Sequence, residues 1–172
     1  MTRIAEQEAR MTQSPALEVT IPSEREVRIV RTFNARRELV FRAWTEPDLV
    51  KRWIAGPEGW SVTKSEGDVR AGGNYRIEWS GPDGASMGMD GTYREIDPPT
   101  RIVSVESFDE AWYPGDALVT TLFAEDTPEQ TTVTMTILYE STTARDTAVA
   151  SGMTEGMAMT YGSLDRLLTE IG

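Results

Sequence analysis

The chain has 172 residues and a formal net charge of −11, and its 39% hydrophobic and 26% charged residues are typical of a globular protein. This length predicts one domain that buries a hydrophobic core. The negative charge repels phosphate groups and anionic lipid headgroups, so we do not expect nucleic acids or membranes as partners.

The chain contains neither cysteine nor histidine. Disulfides, thiolate chemistry and histidine-based triads are therefore excluded, and a metal site would have to consist of carboxylates. No acidic cluster has the spacing of a calcium-binding loop, so we expect no metal and no cofactor. No apolar run resembles a signal peptide or approaches the roughly 18 residues of a membrane span, which predicts a cytoplasmic protein.

The start of the chain divides into a tail and the first strands. Residues 1–16 are polar without periodicity and predict a flexible tail, which leaves 17–172 as a single domain. Alternating apolar residues predict a short edge strand over Leu17–Ile21 and the first main strand over Val27–Phe33.

Two short helices are predicted next, over about Arg36–Trp44 and Glu46–Trp53. Pro47 separates them and is tolerated in the first turn of the second helix. Each helix ends on a tryptophan.

Turn sequences such as "GPDG" and "DPPT" divide the middle of the chain into a meander of six strands. The predicted strands are Trp60–Arg70, Asn74–Trp79, Met87–Ile96, Arg101–Phe108, Ala117–Ala124 and Thr131–Tyr139. Apolar residues then recur at helical spacing and predict one long helix over about Thr142–Ile171. A curved antiparallel sheet wrapped around this helix leaves a space between them, and the two short helices are expected to close one end of it.

Several aromatic and sulfur-containing residues are candidates for the wall of that space. Trp44 and Trp53 are expected either to cap it or to form ordinary core. Tyr75 and Trp79 share a strand face that is expected to point inward, although Trp79 is also placed to cover the rim of the sheet. Met89, Tyr93 and Phe108 belong to neighbouring strands. Trp112 and Tyr113 lie in a loop that suits contact with a small molecule or a second subunit, which makes a homodimer one alternative; the other is that they pack over the mouth of the pocket. On the long helix, Met153, Gly156 and Met157 indicate either empty volume beside the helix or ordinary core.

Glu106 is the most informative polar residue. It shares strand parity with Ser104 and Phe108, so an inward face would place its carboxylate in an apolar cavity and raise its pKa. It could then bind a polar group or transfer a proton. Alternatively, Val103 and Val105 form the buried face, and Glu106 pairs with an arginine or points to solvent.

Four segments carry a resemblance to a known family: "RTFNARRELVFRAWTEPDLVKRW", "DVRAGGNYRIEWSGPDG", "GTYREIDPPTRIVSVESF" and "ARDTAVASGMTEGMAMTYGSLDRLL". From about Leu17 to Leu168 the chain resembles the SRPBCC superfamily (START, polyketide cyclase, birch-pollen-allergen-like). Within it, the chain is similar to bacterial proteins related to the C-terminal domain of the activator of heat-shock protein 90 ATPase. The resemblance implies an α+β helix-grip fold, a curved antiparallel sheet around a long C-terminal helix with a pocket between them.

Three functions follow as expectations. The first is a module that binds a small hydrophobic or amphipathic ligand, with the thirteen residues from Trp44 to Met157 named above as its wall. The second is a co-chaperone-like interaction with a heat-shock protein 90-type partner. The third is an enzyme of the polyketide cyclase or aromatase type, with Glu106 and Tyr93 as its catalytic candidates. The GxxxxGK[ST] phosphate loop is absent from the sequence, so we expect no ATPase activity of the chain itself.

Overall fold

A computed structural model describes residues 17–54, 56 and 58–172. The predicted tail, residues 1–16, lies outside the described residues. None of the helices in the described part is both long and apolar enough to cross a bilayer.

In the described part of the chain, eight strands form one antiparallel sheet in the order β1-β2-β8-β7-β6-β5-β4-β3, which confirms the predicted meander and edge strand. The strands are β1 Glu18–Thr20, β2 Glu26–Phe33, β3 Ser61–Gly67, β4 Asn74–Ser80, β5 Ser86–Asp97, β6 Arg101–Phe108, β7 Ala117–Thr127 and β8 Gln130–Leu138. Because β2 pairs with β8, the segment between β2 and β3 must pass from one side of the sheet to the other.

That segment contains the two short helices, α1 (Arg37–Thr45) and α2 (Pro47–Trp53). A 3-10 turn, Pro82–Gly84, joins β4 to β5. Helix α2 begins at a proline, whose missing N–H is not needed in a first helical turn. The two helices therefore follow each other with a sharp bend, as the sequence predicts.

The predicted single C-terminal helix is wrong in one respect, because it is two helices, α3 (Thr142–Ala150) and α4 (Met153–Ile171). The break lies at Gly152, whose φ of 87° is in the left-handed region that glycine adopts without a steric penalty. Apolar periodicity continues on both sides of the break, so the pattern alone does not reveal it. Helix α4, with 19 residues, is still the long helix of a helix-grip fold.

The two halves of α4 have different surroundings. In the C-terminal half, Tyr161, Leu164, Leu167 and Leu168 are buried against the main core. The N-terminal half, beginning at Met153, is largely exposed. The core is thus concentrated at the end of the molecule where α4 meets α1 and α2, and the other end holds open space.

Candidate functional site

A cavity of about 680 Å³ lies between the sheet and α4, within the range of roughly 300–1,000 Å³ that is typical of small-molecule sites. All thirteen residues predicted to form its wall line it: Trp44, Trp53, Tyr75, Trp79, Met89, Tyr93, Glu106, Phe108, Trp112, Tyr113, Met153, Gly156 and Met157. Their position is therefore as predicted, while their role in binding a ligand stays a prediction.

The closed end of the cavity is built from aromatic rings of α1, α2 and α4. The ring centroids of Trp44 and Trp53 are 4.7 Å apart, and that of Tyr161 lies 5.8 Å from Trp44. The indole N–H of Trp53 donates to the carbonyl oxygen of Ala43 at 2.8 Å, which fixes the bend between the helices. The two tryptophans are thus both core residues and cavity wall, so the two alternatives for them do not exclude each other.

Strand β4 supplies the adjoining wall. Ile77 and Trp79 are buried and Tyr75 is half-buried, so this face points inward as expected. The indole N–H of Trp79 donates to the carbonyl oxygen of Ile54 at 2.7 Å. This bond anchors the end of α2 to the sheet, which explains why Trp79 is more than a cover for the rim.

A polar pair lies in the middle of this wall. The hydroxyl oxygen of Tyr75 is 3.3 Å from Oε1 of Glu106 and 3.2 Å from Oγ of Ser104. Tyr75 and Glu106 lie on β4 and β6, and both are opposite Gly91 of the intervening β5. A Cβ at Gly91 would overlap the ring of Tyr75, so glycine is what allows the phenol to extend across β5.

The environment of Glu106 favours its protonated form. Burial raises the pKa of Glu106 to about 7, and the hydrogen bond from Tyr75 opposes that rise. The pKa values of Tyr93 and Tyr139 are raised to about 12, mainly by burial and secondly by the negative charge of Glu106. Glu106 therefore faces the cavity, and the alternative that it points to solvent is not found. Within the described residues it also has no arginine partner, which was the other alternative.

A second group of rings includes Tyr113 and Tyr139, whose pKa values are raised mainly by burial and in part by the nearby carboxylate of Glu106. Centroid distances are 4.6 Å for Phe108 and Trp112, 5.3 Å for Trp112 and Tyr113, and 5.1 Å for Tyr113 and Tyr139. Tyr113 is 5% exposed but Trp112 is 43% exposed, so this loop pair divides between the wall and its solvent-facing margin. The rings of Tyr75 and Tyr93 also pack together, with centroids 4.7 Å apart and planes tilted by 40°.

Helix α4 covers the cavity with its N-terminal half. A Cβ at Gly156 would meet no atom within 4 Å, so the helix is not held close to a neighbour there. The hydroxyl of Tyr139 lies 3.9 Å from the sulfur of Met153, the one side-chain hydrogen bond found between the described part of this half and the sheet. The interpretation of Gly156 as empty volume beside the helix agrees with this geometry.

Sequence reasoning missed Tyr139 and Tyr161 as wall residues. Tyr139 directly follows β8 and continues the alternation of Val133 and Ile137, a signal that was available. Tyr161 lies on the apolar face of α4, where nothing local distinguishes a wall residue from a core residue.

The charged side chains in the described part of the cavity wall are all acidic. Among the lining residues that the structure describes, there is no lysine or arginine, and the acidic ones are Glu66 and Glu106. Glu66 is exposed, and its Oε2 lies 3.5 Å from Nζ of Lys64. Among the residues that the structure describes, the hydrogen-bond partner of the Glu106 carboxylate is the hydroxyl of Tyr75. Within the described residues, no three acidic side chains are grouped as metal ligands would be.

Solved structures of other proteins share the fold of this chain, among them the three that follow. A crystal structure of a protein from Rhodobacter sphaeroides is 29% identical and has a TM-score of 0.83, with 90% of this chain and 99% of that chain covered. A protein from Chromobacterium violaceum is 26% identical, with a TM-score of 0.73 and coverage of 85% and 98%. An AHSA1-like protein from Aeromonas hydrophila is 23% identical, with a TM-score of 0.63 and coverage of 81% and 92%, which supports the fold alone.

No curated protein matches the chain. The family model described as Activator of Hsp90 ATPase homolog 1-like protein matches residues 34–169, most of the chain. This match confirms the resemblance carried by the four segments between Arg31 and Leu168. The chain belongs to the Activator of Hsp90 ATPase homolog 1-like family, which has the SRPBCC type of fold.

Proposed function

We propose that this protein binds a small hydrophobic or amphipathic molecule in the cavity between the sheet and α4. The observation that carries the proposal is a cavity of about 680 Å³ whose wall is mostly aromatic and aliphatic, with one polar pair, Tyr75 and Glu106, in its middle. Ligand sites typically combine such an apolar wall with a few polar groups that orient the ligand.

The N-terminal half of α4 supports access to the cavity from solvent. Met159 is 53% exposed, and Gly156 is exposed with no neighbour near its Cβ position. A segment with few packed neighbours opens at a lower free-energy cost than a core segment does. We infer that this half of the helix moves to admit the ligand while the buried half stays in place.

The test is a titration with the neutral apolar dye Nile red, followed by dye emission and by tryptophan fluorescence. We expect saturable binding near one equivalent. Gly156→Leu would place a side chain in part of the cavity and weaken binding by roughly tenfold or more, a loss of about 1.4 kcal/mol of binding free energy.

Gly162→Leu is the matched control, because Gly162 lies on the same helix, also has no neighbour within 4 Å of a Cβ, and is not in the cavity wall. Both substitutions replace a helical glycine with leucine, so both should stabilise the helix by a similar amount. Equal dye affinity in wild type and Gly156→Leu would refute the proposal.

A co-chaperone-like interaction is the second candidate, favoured by the description of the matching family. It predicts direct binding to a heat-shock protein 90-type chaperone and a change in the ATPase rate of that partner. Purified components in a binding assay and a coupled ATPase assay test it, with the chain alone as the control for its expected lack of ATPase activity.

Proton-transfer catalysis is a third candidate, favoured by the carboxyl group of Glu106, whose pKa is raised to about 7 beside a phenol. An acid or base with a pKa near the working pH is well suited to transfer protons. Turnover of a polyketide-type substrate that is lost in Glu106→Gln would support this candidate.

A further inference from the structure

The carboxylate of Glu106 lacks a cationic partner in the described structure. Its one hydrogen bond is from the neutral hydroxyl of Tyr75, and the described lining residues include no lysine or arginine. A charged group away from water is costly unless an opposite charge compensates it. The free cavity is therefore complementary to a ligand that brings a positive charge.

Aromatic rings lie near this carboxylate. Tyr75 donates to it and packs against Tyr93, and after burial the carboxylate also contributes to raising the pKa values of Tyr93, Tyr113 and Tyr139. The faces of aromatic rings carry partial negative charge and attract ammonium groups, most strongly where water is excluded. Carboxylate and rings together are the two elements that recognise an organic cation.

Anionic amphiphiles do not fit the same site. A fatty-acid carboxylate that entered head first would meet Glu106 with no basic residue of the described wall to offset the repulsion. The net charge of −11 opposes anions at longer range as well and attracts cations.

We propose that the cavity selects organic ammonium compounds, with the cationic nitrogen at Glu106 among the tyrosine rings and the apolar part of the molecule toward Trp44 and Trp53. This inference rests on the proposed ligand-binding function and specifies the chemical class of the ligand. It applies to primary and to quaternary ammonium groups, because both carry the charge and both bind ring faces.

The test compares probes that share a ten-carbon chain and differ in headgroup: decyltrimethylammonium, decylamine, 1-decanol and decanoate. Titrations are made at pH 8, below the micelle concentrations, in 150 mM salt to screen the long-range field of the protein to about 8 Å. We expect the two cations to bind at least tenfold more tightly than decanol, and decanoate to bind most weakly.

Glu106→Gln should lower the affinity for both cations and so remove their preference over decanol. Glu129→Gln is the matched control, since it removes the same charge from an exposed residue outside the cavity wall. It should keep the full preference. If Glu106→Gln does not fold, as judged by circular dichroism, the fall in the affinity of the wild type for decyltrimethylammonium between pH 8 and pH 6 takes its place, because the chain has no histidine to change its net charge in that range.

The outcomes separate the two levels of the proposal. Failure of all four probes to saturate the wild-type protein would overturn the ligand-binding function itself. Decanol or decanoate binding as tightly as the cations would overturn the inference and leave the binding function intact. An undiminished preference for cations in a folded Glu106→Gln would also overturn it, because the net charge would then be the cause.

Discussion

Tyr75 donates a hydrogen bond to Glu106 across an intervening strand, with 3.3 Å between its hydroxyl oxygen and Oε1. The two residues lie on β4 and β6, and Gly91 of β5 separates them in register. The phenol bridges the gap because Gly91 has no side chain to occupy the space above β5. One glycine thus brings together the two polar groups that define the middle of the cavity wall.

Gly91→Ala should destabilise the protein by roughly 1–3 kcal/mol, because the new methyl group overlaps the ring of Tyr75 and forces it to move. Urea unfolding measures the change in the free energy of unfolding. Gly156→Ala is the control, since a Cβ there meets nothing within 4 Å and alanine favours the helix. A Gly91→Ala protein as stable as wild type would show that Tyr75 is not held over this glycine.

The stability of the protein should depend on the protonation of Glu106. Burial raises the pKa of Glu106 from 4.5 to about 7 in the folded state, so folding favours the protonated form. This contribution to stability is fully present below pH 4.5 and is lost as the pH rises through 7. The shift corresponds to a loss of roughly 3 kcal/mol by pH 8.

Glu106→Gln, which cannot ionise, should therefore gain stability relative to wild type as the pH rises from 4.5 to 8. Thermal and urea unfolding at several pH values measure the difference, with the exposed Glu129→Gln as the control for loss of one charge. A difference between Glu106→Gln and wild type that is independent of pH would contradict the raised pKa.

The affinity for decyltrimethylammonium should increase with pH between 6 and 8, because the cation prefers the ionised carboxylate of Glu106. Below the pKa, affinity should fall by up to tenfold per pH unit. The groups that face Glu106, which are Tyr75, Tyr93, Tyr113 and Tyr139, all have raised pKa values and stay neutral in this range. Isothermal titration calorimetry measures the profile, and Glu106→Gln should give a flat one.

Among the described residues, two ion pairs connect α4 to the rest of the fold, and they should differ in strength. Arg31, whose side chain is 6% exposed, binds Asp165 through two hydrogen bonds and lies 4.8 Å from the ring centroid of Phe33. Asp165→Ala leaves that guanidinium buried and unpaired and should cost roughly 2–4 kcal/mol.

The pair of Arg52 and Glu170 is the comparison, because both side chains are well exposed although their nitrogen and oxygen are 2.6 Å apart. Glu170→Ala should cost less than about 1 kcal/mol. Urea unfolding of the two variants tests the contrast, and equal losses would show that burial does not set the strength of these pairs.

Local sequence was enough to predict most elements and the direction of several side chains. Alternation placed Tyr75 and Trp79 on one face and Glu106 on the same face as Ser104, because side chains of a strand point to opposite sides in turn. Turn residues bounded the strands, and the change to helical spacing marked the start of the C-terminal helices. These are properties of neighbouring residues, so they can be read without knowledge of the fold.

Other features depended on contacts between distant parts of the chain. The alternation of side chains along a strand does not show which face is buried. For Glu106, the packing of the sheet against α4 determines that its face points into the cavity. The meeting of Tyr75, Gly91 and Glu106 follows from the register of three strands, which pairing across the whole sheet sets. The local pattern favours a continuous helix, but the helix breaks at Gly152, which adopts a left-handed conformation. The buried face, the strand register and the position of the helix break all depend on the free energy of packing the whole domain. For that reason only the tertiary structure decided them.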